Sequence, residues 1–340
     1  MSERNVPSKR SRRGSCAALA ASLLAAAVPV AAWVLMHLPG EDQWIGAALV
    51  YAPKIQWLAV PVVGLVLAMF ARSRGLSLLN IAAAAFALFV IAGFEINTPP
   101  PIPEDRPTVR VATWNVYGWT TERDLVRDRI MSWDCDVVCL QESGGKTFED
   151  LLPGYESAHS GDLRTYVRGR VLSMDDPRDL PVGPSRMLIS EVETDAGRFT
   201  VFNVHIPRTP RANPVPRQFR PLIEYIMTGV EVRDELFPKL LSRLPESGPL
   251  IVAGDMNTPP TSRYHERVAA RLTDSFDAVG RGFGYTFVWR DYFPMLRIDY
   301  IWAGGGVQPL RCDTRPRRPS DHRPVIGTLA LPAAPSADEE

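Results

Sequence analysis

The pattern of apolar and polar positions divides the chain into two unlike halves. Long apolar runs dominate the first hundred residues, and shorter runs separated by polar turns follow. Residues 16–38, CAALAASLLAAAVPVAAWVLMHL, carry no formal charge and are long enough to cross the hydrocarbon core of a bilayer as a helix. A second run covers about 55–71, and an upstream start near Trp44 would place Lys54 inside it. A third covers about 76–94. The first run alone would suit a cleaved signal peptide, because its N-terminal flank is basic and its body Ala-rich. Two further runs of similar length favour an integral membrane region over 16–96 with about three spanning helices.

The flanking charges orient that region. Lys9, Arg10, Arg12 and Arg13 lie in the N-terminal flank, which ends with the first fifteen residues. Glu41 and Asp42 follow the first helix, and Arg72 and Arg74 separate the second from the third. Positive loops stay in the cytoplasm, so the N-terminus and the 72–75 turn are expected inside and everything from about Glu95 onward outside. Were the second run not to span, the sides would reverse; Lys54, Pro53 and Pro61 are the residues that argue against it. Residues 97–107, NTPPPIPEDRP, read as an extended, semi-rigid linker. The tail, 332–340, has the Ala, Pro and acid content of a disordered segment.

Residues 108–331 alternate strand and helix signals. Val109–Val116 reads as a strand with Val109, Val111, Thr113 and Asn115 on one face. Glu122–Trp133 is helical in period, and Val137–Leu140 is a strand buried on both faces. In the strand Arg198–Ile206, Val201, Asn203 and His205 share one face while Phe202, Val204 and Ile206 share the other. A helical pattern over about 217–243 is expected to break near Gly229. Leu250–Ala253 is another buried strand, Arg263–Leu272 a helix, and Ile298–Trp302 and Val325–Leu331 the closing strands. Buried strands interleaved with helices imply an α/β domain of sheets covered by helices.

Charge narrows little: Lys+Arg and Asp+Glu are 38 each, so there is no basic excess to argue for nucleic acid. The four cysteines show no metal-like spacing and read as reduced packing residues. More informative are the polar residues at the ends of apolar strands. Glu142 directly follows VVCL, and Asp255 and Asn257 follow LIVAG, where Gly254 permits a sharp turn and Pro259-Pro260 delays any helix. Each alone suits an ordinary turn. Asp299 interrupts an apolar strand and needs a partner, either an arginine such as Arg297 or a catalytic histidine. Ser320-Asp321-His322 precedes the last strand, and His205 ends another. Together the set offers hard oxygen ligands, a carboxylate able to activate water, and imidazoles able to hold a phosphate. Arg208, Arg211, Arg217 and Arg220 after His205, and Arg315, Arg317, Arg318 and Arg323 around the Asp-His pair, form either solvated loops or rims that recruit phosphate.

The segments VATWNVYG, DVVCLQES, FNVHIP, VAGDMNTPP, RIDYIW and PSDHRPV, in this order, resemble the endonuclease/exonuclease/phosphatase superfamily. The preceding apolar runs resemble its bacterial membrane-anchored members. The resemblance implies a four-layer α/β sandwich, two packed β-sheets flanked by helices, and hydrolysis of phosphodiester or phosphomonoester bonds with a divalent metal, magnesium or manganese. It implies Glu142, Asp321 and Asn115 as metal residues. Asp255 would act on the attacking water, with Asn257 and Asn115 binding substrate. His322 would contact the scissile phosphate, Asp299 would orient its imidazole, and His205 would contact the phosphate or aid the leaving group. The segment RGRVLSMDDP between Glu142 and His205 matches the family pattern only in part, and no acidic partner for His205 is evident there. The substrate classes left open are nucleic acid, a lipid head group and a small phosphodiester. A sphingomyelinase-like or lipid phosphatase activity is one alternative, and a catalytically inactive, membrane-tethered binding module is another. No protein partner can be inferred.

Overall fold

The computed structural model describes residues 9–118, 122–144, 148–177, 179, 186–208, 218–289 and 293–333. It begins with helix α1 (Lys9–His37), a short 3₁₀ turn (Gly40–Asp42), α2 (Trp44–Tyr51), α3 (Gln56–Phe70) and α4 (Arg74–Phe86), which a π-helical turn prolongs to Ile91. Cys16–His37 and Arg74–Ile91 are each long and apolar enough to cross a membrane. The second apolar run behaves differently. α3 has 15 residues, about 22 Å at 1.5 Å per residue, short of a hydrocarbon core of about 30 Å. α2 and α3 pass the same test only together, and they bend by 87° at the break. Among the described residues there are thus two spanning-length helices, or three if the bent pair is one span. The break falls where Pro53 lacks an N–H and where Lys54, buried, donates from Nζ to Leu49 O (3.0 Å) and Val50 O (2.6 Å). Those carbonyls belong to the last turn of α2, so the lysine caps it and its charge faces protein. α1 and α4 are also tied by a polar contact, Asn80 Nδ2 to Ser22 Oγ at 2.9 Å, of the kind that fixes helix pairs in apolar surroundings.

The rest of the chain runs β1 (Glu95–Ile96), β2 (Thr108–Asn115), α5 (Arg123–Trp133), β3 (Val137–Gln141), β4 (Glu156–Ser160), β5 (Leu163–Val167), β6 (Arg170–Asp175), β7 (Met187–Thr194) and β8 (Gly197–His205). Then come α6 (Phe219–Arg243), β9 (Leu250–Asp255), α7 (Arg263–Ala269), β10 (Thr273–Asp274), α8 (Ser275–Val279), β11 (Arg281–Gly282), β12 (Phe287–Trp289) and β13 (Phe293–Leu296). β14 (Asp299–Gly304), β15 (Gln308–Thr314) and β16 (Val325–Ala330) complete it. Two six-stranded mixed sheets form, in the orders β10-β14-β9-β8-β7-β6 and β15-β16-β2-β3-β5-β4.

The two-residue period of the strands explains the layers. Val109, Val111, Val137, Cys139, Val201, Ile251, Ala253 and Ile301 pack together between the sheets. The alternate residues Phe202, Val204, Val252 and Trp302 face the other way and meet Leu236, Phe237 and Leu240 of α6 and Tyr264 of α7. On the second sheet Ala112, Trp114, Val138 and Leu140 meet Val126, Ile130 and Trp133 of α5. Helices, sheet, sheet and helix make the four layers that the motifs implied. Burial of apolar side chains on both faces of each sheet is the main source of stability, at about 25 cal/mol per Å² removed from water.

One sequence expectation fails. α6 does not break at Gly229 but continues for 25 residues. Gly229 lets another segment approach: a Cβ there would lie 2.5 Å from Arg208 O. Arg233, one turn on, donates to Gly229 O at 2.6 Å and holds that turn. The proline-rich stretch is laid against the domain rather than free of it. β1 pairs with β11, Tyr285 donates to Ala92 O (3.1 Å), and Arg311 donates to Pro100 O (2.7 Å). Phe283 stacks on Tyr285 and meets Phe94 edge-on, so these aromatic residues pack against the segment entering the domain.

Candidate active site

The interlayer core turns polar towards one end. On β8 the residues facing the other sheet run Val201, Asn203, His205, and on β9 they run Ile251, Ala253, Asp255. On β14, read backwards, they run Ala303, Ile301, Asp299. The register sets Asp255 opposite both His205 and Asp299, so one row across three strands carries His205, Asp255 and Asp299 on a single face. On the facing sheet Asn115 lies opposite Gln141. Behind these rows a buried amide layer joins the sheets: Gln141 Nε2 donates to Asn203 Oδ1 (2.8 Å), and Asn203 Nδ2 to Leu140 O and Arg164 O. Buried amides of this kind are tolerated only when they are satisfied.

Two residues are aimed by unusual backbone. Glu142 continues β3, where plain alternation would turn it away from the site, and has φ 54°. Asn257, just past β9, has φ 47°. Left-handed conformations cost energy in non-glycine residues and are kept where the surroundings enforce them. Gly254 is forced as well: its φ is 149°, and a Cβ would stand 1.9 Å from Val204 O.

Asn115 is the hub. Its Nδ2 donates to Glu142 Oε1 (3.0 Å) and to Asp255 Oδ2 (3.0 Å), and its Oδ1 accepts from the Tyr117 N–H (3.1 Å). Asp255 also accepts from the Asn257 N–H on Oδ1 (2.8 Å) and from Asn257 Nδ2 on Oδ2 (3.2 Å). Asn257 Nδ2 reaches Ile206 O (2.9 Å) too. The loop before β16 is fastened to β2 by Ser320 Oγ, which donates to Asn115 O (2.6 Å) and accepts from the His322 N–H (3.0 Å). Trp114 Nε1 donates to His322 O (3.0 Å).

Each histidine leans on a carboxylate and points its other nitrogen inward. His322 Nδ1 pairs with Asp299 Oδ2 at 2.8 Å, and Nε2 lies 3.8 Å from Asp255 Oδ2. His205 Nδ1 pairs with Asp162 Oδ2 at 3.1 Å, with Nε2 3.8 Å from Glu142 Oε1 and 4.0 Å from Asp255 Oδ2. Burial disfavours the charged ring of His322, but the Asp299 and Asp255 carboxylates outweigh it and raise its pKa to about 10. Burial likewise opposes His205, and the Asp162 hydrogen bond with the Asp255 and Glu142 charges raises its pKa. Burial and the neighbouring Asp299 charge raise the Asp255 pKa, against the two histidines. Asp321 is partly exposed, its carbonyl accepts from the Val288 N–H (3.0 Å), and its charge adds to those favouring the His322 imidazolium.

Asp162 was not read from the sequence. It occupies the tight turn between β4 and β5, outside any motif, and supplies the acidic partner for His205 that the segment RGRVLSMDDP does not. The competing reading of Asp299 as an arginine partner also fails: Arg297 pairs instead with Asp274 and Asp277, away from His322. Of the arginine rims, Arg208 lies over the Phe287 ring at 5.4 Å and Arg220 is exposed. Arg211 and Arg217 fall outside the described residues.

The donor set suits a hard divalent cation. Ligand atoms of Asp255, Asp299 and His322 lie within 4.8 Å of one another, but a charged His322 ring repels a cation, so the oxygens beside this group, Glu142 first among them, are the better ligands. Asp299 Oδ1 is buried with no hydrogen-bond partner among the described residues, and the Glu142 side chain is 23% exposed beside them. Carboxylate and amide oxygens are the ligands magnesium prefers. A second acid group, His265 with Asp274 and Asp277, is less suited, because the Arg297 guanidinium already neutralises it.

No curated protein matches the chain in sequence. Several solved structures share its fold. The endonuclease/exonuclease/phosphatase from Bacteroides vulgatus is 19% identical, with a TM-score of 0.52 over 66% of this chain and 99% of that one. A humanized TDP2 from D. rerio is 18% identical, with a TM-score of 0.53 over 65% and 98%. An AP endonuclease from Archaeoglobus fulgidus is 16% identical, with a TM-score of 0.51 over 64% and 98%. The family model described as Endonuclease/Exonuclease/phosphatase family matches residues 112–322, a span that contains every residue of the two opposed rows. The chain belongs to the Endonuclease/Exonuclease/phosphatase family.

Proposed function

We propose that the protein is a membrane-anchored, metal-dependent phosphoesterase that hydrolyses phosphodiester or phosphomonoester bonds, with its catalytic domain outside the cytoplasm. The observation that carries this reading is the meeting of two opposed rows at the polar end of the interlayer core. One brings Asp255 between two carboxylate-backed histidines, and the other brings Asn115 and Glu142.

Asp255 is the base. Three donors, the Asn257 N–H, Asn257 Nδ2 and Asn115 Nδ2, fix its carboxylate, so an attacking water meets an oriented acceptor. Its raised pKa makes it a stronger proton acceptor than an ordinary aspartate. His322, held as imidazolium by Asp299, turns Nε2 to the phosphate and stabilises charge on its oxygens. His205 does the same from the other side, or donates its proton to the leaving oxygen, with Asp162 holding Nδ1. Asn257 and Asn115 bind phosphate oxygens and keep the base aligned. Glu142, Asn115 and Asp321 would hold magnesium or manganese, which when bound neutralises negative charge on the phosphoryl group.

The test is hydrolysis of bis-p-nitrophenyl phosphate by the full chain in detergent, with magnesium and with a chelator. Asp255→Asn and His322→Ala should each lower kcat by roughly 10²–10⁴-fold without changing the thermal midpoint much. Undiminished hydrolysis in either variant, or in chelator, would overturn the assigned roles.

A further inference from the structure

A cavity of about 600 Å³ opens beside the catalytic rows and runs to α2. That is within the range of roughly 300–1,000 Å³ for sites that enclose a small molecule. Its inner end is Asn257, which binds Asp255, and Phe287, whose ring lies 5.4 Å from the ring of His322. Arg208, stacked over Phe287, is the cation at that end. Its walls are Leu222 and Ile226 of α6 on one side and Ala48 of α2 on the other. The second arginine there, Arg233, is already engaged: it donates to Gly229 O and Asn257 O and lies over the Tyr51 ring. The lining is therefore apolar along its length and cationic only near the site.

The α2 wall is distinctive too. α2 turns 87° from α3, so when α3 stands across a bilayer α2 lies along its surface. At its start the exposed Trp44 meets the exposed Phe219 of α6 edge-on at 5.4 Å. Aromatic side chains gather at that depth of a membrane, where one side is apolar and the other wet.

We propose that this cavity receives the hydrocarbon chain of a membrane lipid whose phosphoester head group is presented to His322 and Asp255. The inference rests on the phosphoesterase reading and names its substrate class. A lipid fits because one wall of the cavity is α2, the apolar helix that leads into α3, and the cavity's other end meets the phosphate-binding groups. A nucleic acid would need an open cationic groove with exposed stacking rings along it, and α2 closes this one with alanine and tyrosine.

The experiment compares two substrates on the full chain in lipid nanodiscs: a fluorescent diacyl phospholipid and soluble bis-p-nitrophenyl phosphate. Ile226→Trp and Ala48→Trp fill the cavity from opposite walls, so misfolding of one still leaves the other. Each should lower kcat/KM for the lipid by about tenfold or more and leave the soluble substrate unchanged. Binding of the same phospholipid to Asp255→Asn should persist and be weakened to a similar degree by adding Ile226→Trp. Equal loss on both substrates, or no loss on the lipid, overturns the proposal. So does an oligodeoxynucleotide that displaces the lipid probe and is cleaved only with the cavity intact. Cavity-dependent lipid binding without hydrolysis of either substrate would instead overturn the phosphoesterase reading and leave the cavity assignment standing.

Discussion

At the scale of single residues, the chemistry of the site depends on partners more than on the groups themselves. Asp162 illustrates this. It touches His205 through one hydrogen bond of 3.1 Å, yet that bond is the largest influence opposing the burial of the ring. Replacing Asp162 with Asn keeps the shape and removes the charge. The His205 pKa, followed by NMR, should then fall, and kcat should drop by roughly tenfold, as when a histidine loses the group that orients it. An unmoved His205 titration would exclude Asp162 as its partner. Asp162 was invisible in the sequence for a physical reason. β5 buries Arg164 and Thr165 together with Leu163 and Tyr166, so no apolar alternation marks it, and the turn holding Asp162 had no strands to bound it. By contrast, Asn115, His205 and Asp255 were legible because each ends a strand in which apolar residues dominate. Glu142 and Asn257 stand out in the sequence as polar residues after apolar runs, but only the resemblance turned them into the site, since their direction depends on left-handed backbone that no spacing reveals.

At the scale of elements, strands with a clean two-residue period were read to within a residue or two, and short or polar strands were missed. β10 and β11 have two residues each, too few to show any period. β10 matters because its Asp274 sits in a buried ionic cluster. Arg297 pairs with Asp274 and Asp277, His265 Nε2 lies 3.0 Å from Asp274 Oδ2, and Asn97 Nδ2 reaches Asp277 O at 2.7 Å. The cluster thus locks α7, β10 and α8 to the segment arriving from α4. Burial opposes the Asp274 charge, but Arg297 and His265 outweigh it and hold its pKa at about 2. An unfolded aspartate titrates near 3.9. The stability that Asp274 lends is therefore complete above about pH 4 and is lost as the pH falls towards 2. Asp274→Asn should cost about 3–5 kcal/mol near neutral pH, because it leaves the buried Arg297 short of a partner. The gap in thermal midpoint between wild type and variant should narrow on acidification from pH 5 to pH 2. A gap that stays constant across that range would mean the charge of Asp274 contributes nothing.

At the scale of the whole molecule, the link between the two halves bears on which side of a membrane the domain occupies. The turn after α1 is seated on the catalytic domain: Glu41, buried, accepts from Ser262 Oγ (2.8 Å), the Arg263 N–H (2.9 Å) and Tyr51 Oη (2.6 Å). A carboxylate at the start of α7 is favoured there by the unpaired N–H groups of the first turn. Arg263 also pairs with Asp42. The turn between α1 and α2 and the catalytic domain therefore share a side. The Arg72–Arg74 turn lies at the far end of α3, and the basic N-terminal flank lies at the far end of α1. If α1 spans, positive charge on the far side places the domain outside the cytoplasm. Two single cysteines test this in a background where Cys16, Cys135, Cys139 and Cys312 are replaced by Ser or Ala. A cysteine at exposed Ser247 should react with a membrane-impermeant maleimide in intact cells, and one at Ser73 only after permeabilisation. The reverse pattern would put the catalytic rows in the cytoplasm and remove lipids of the outer leaflet as substrates. Labelling at both sites in intact cells would mean that α3 and α4 do not cross the bilayer, leaving α1 as the spanning helix.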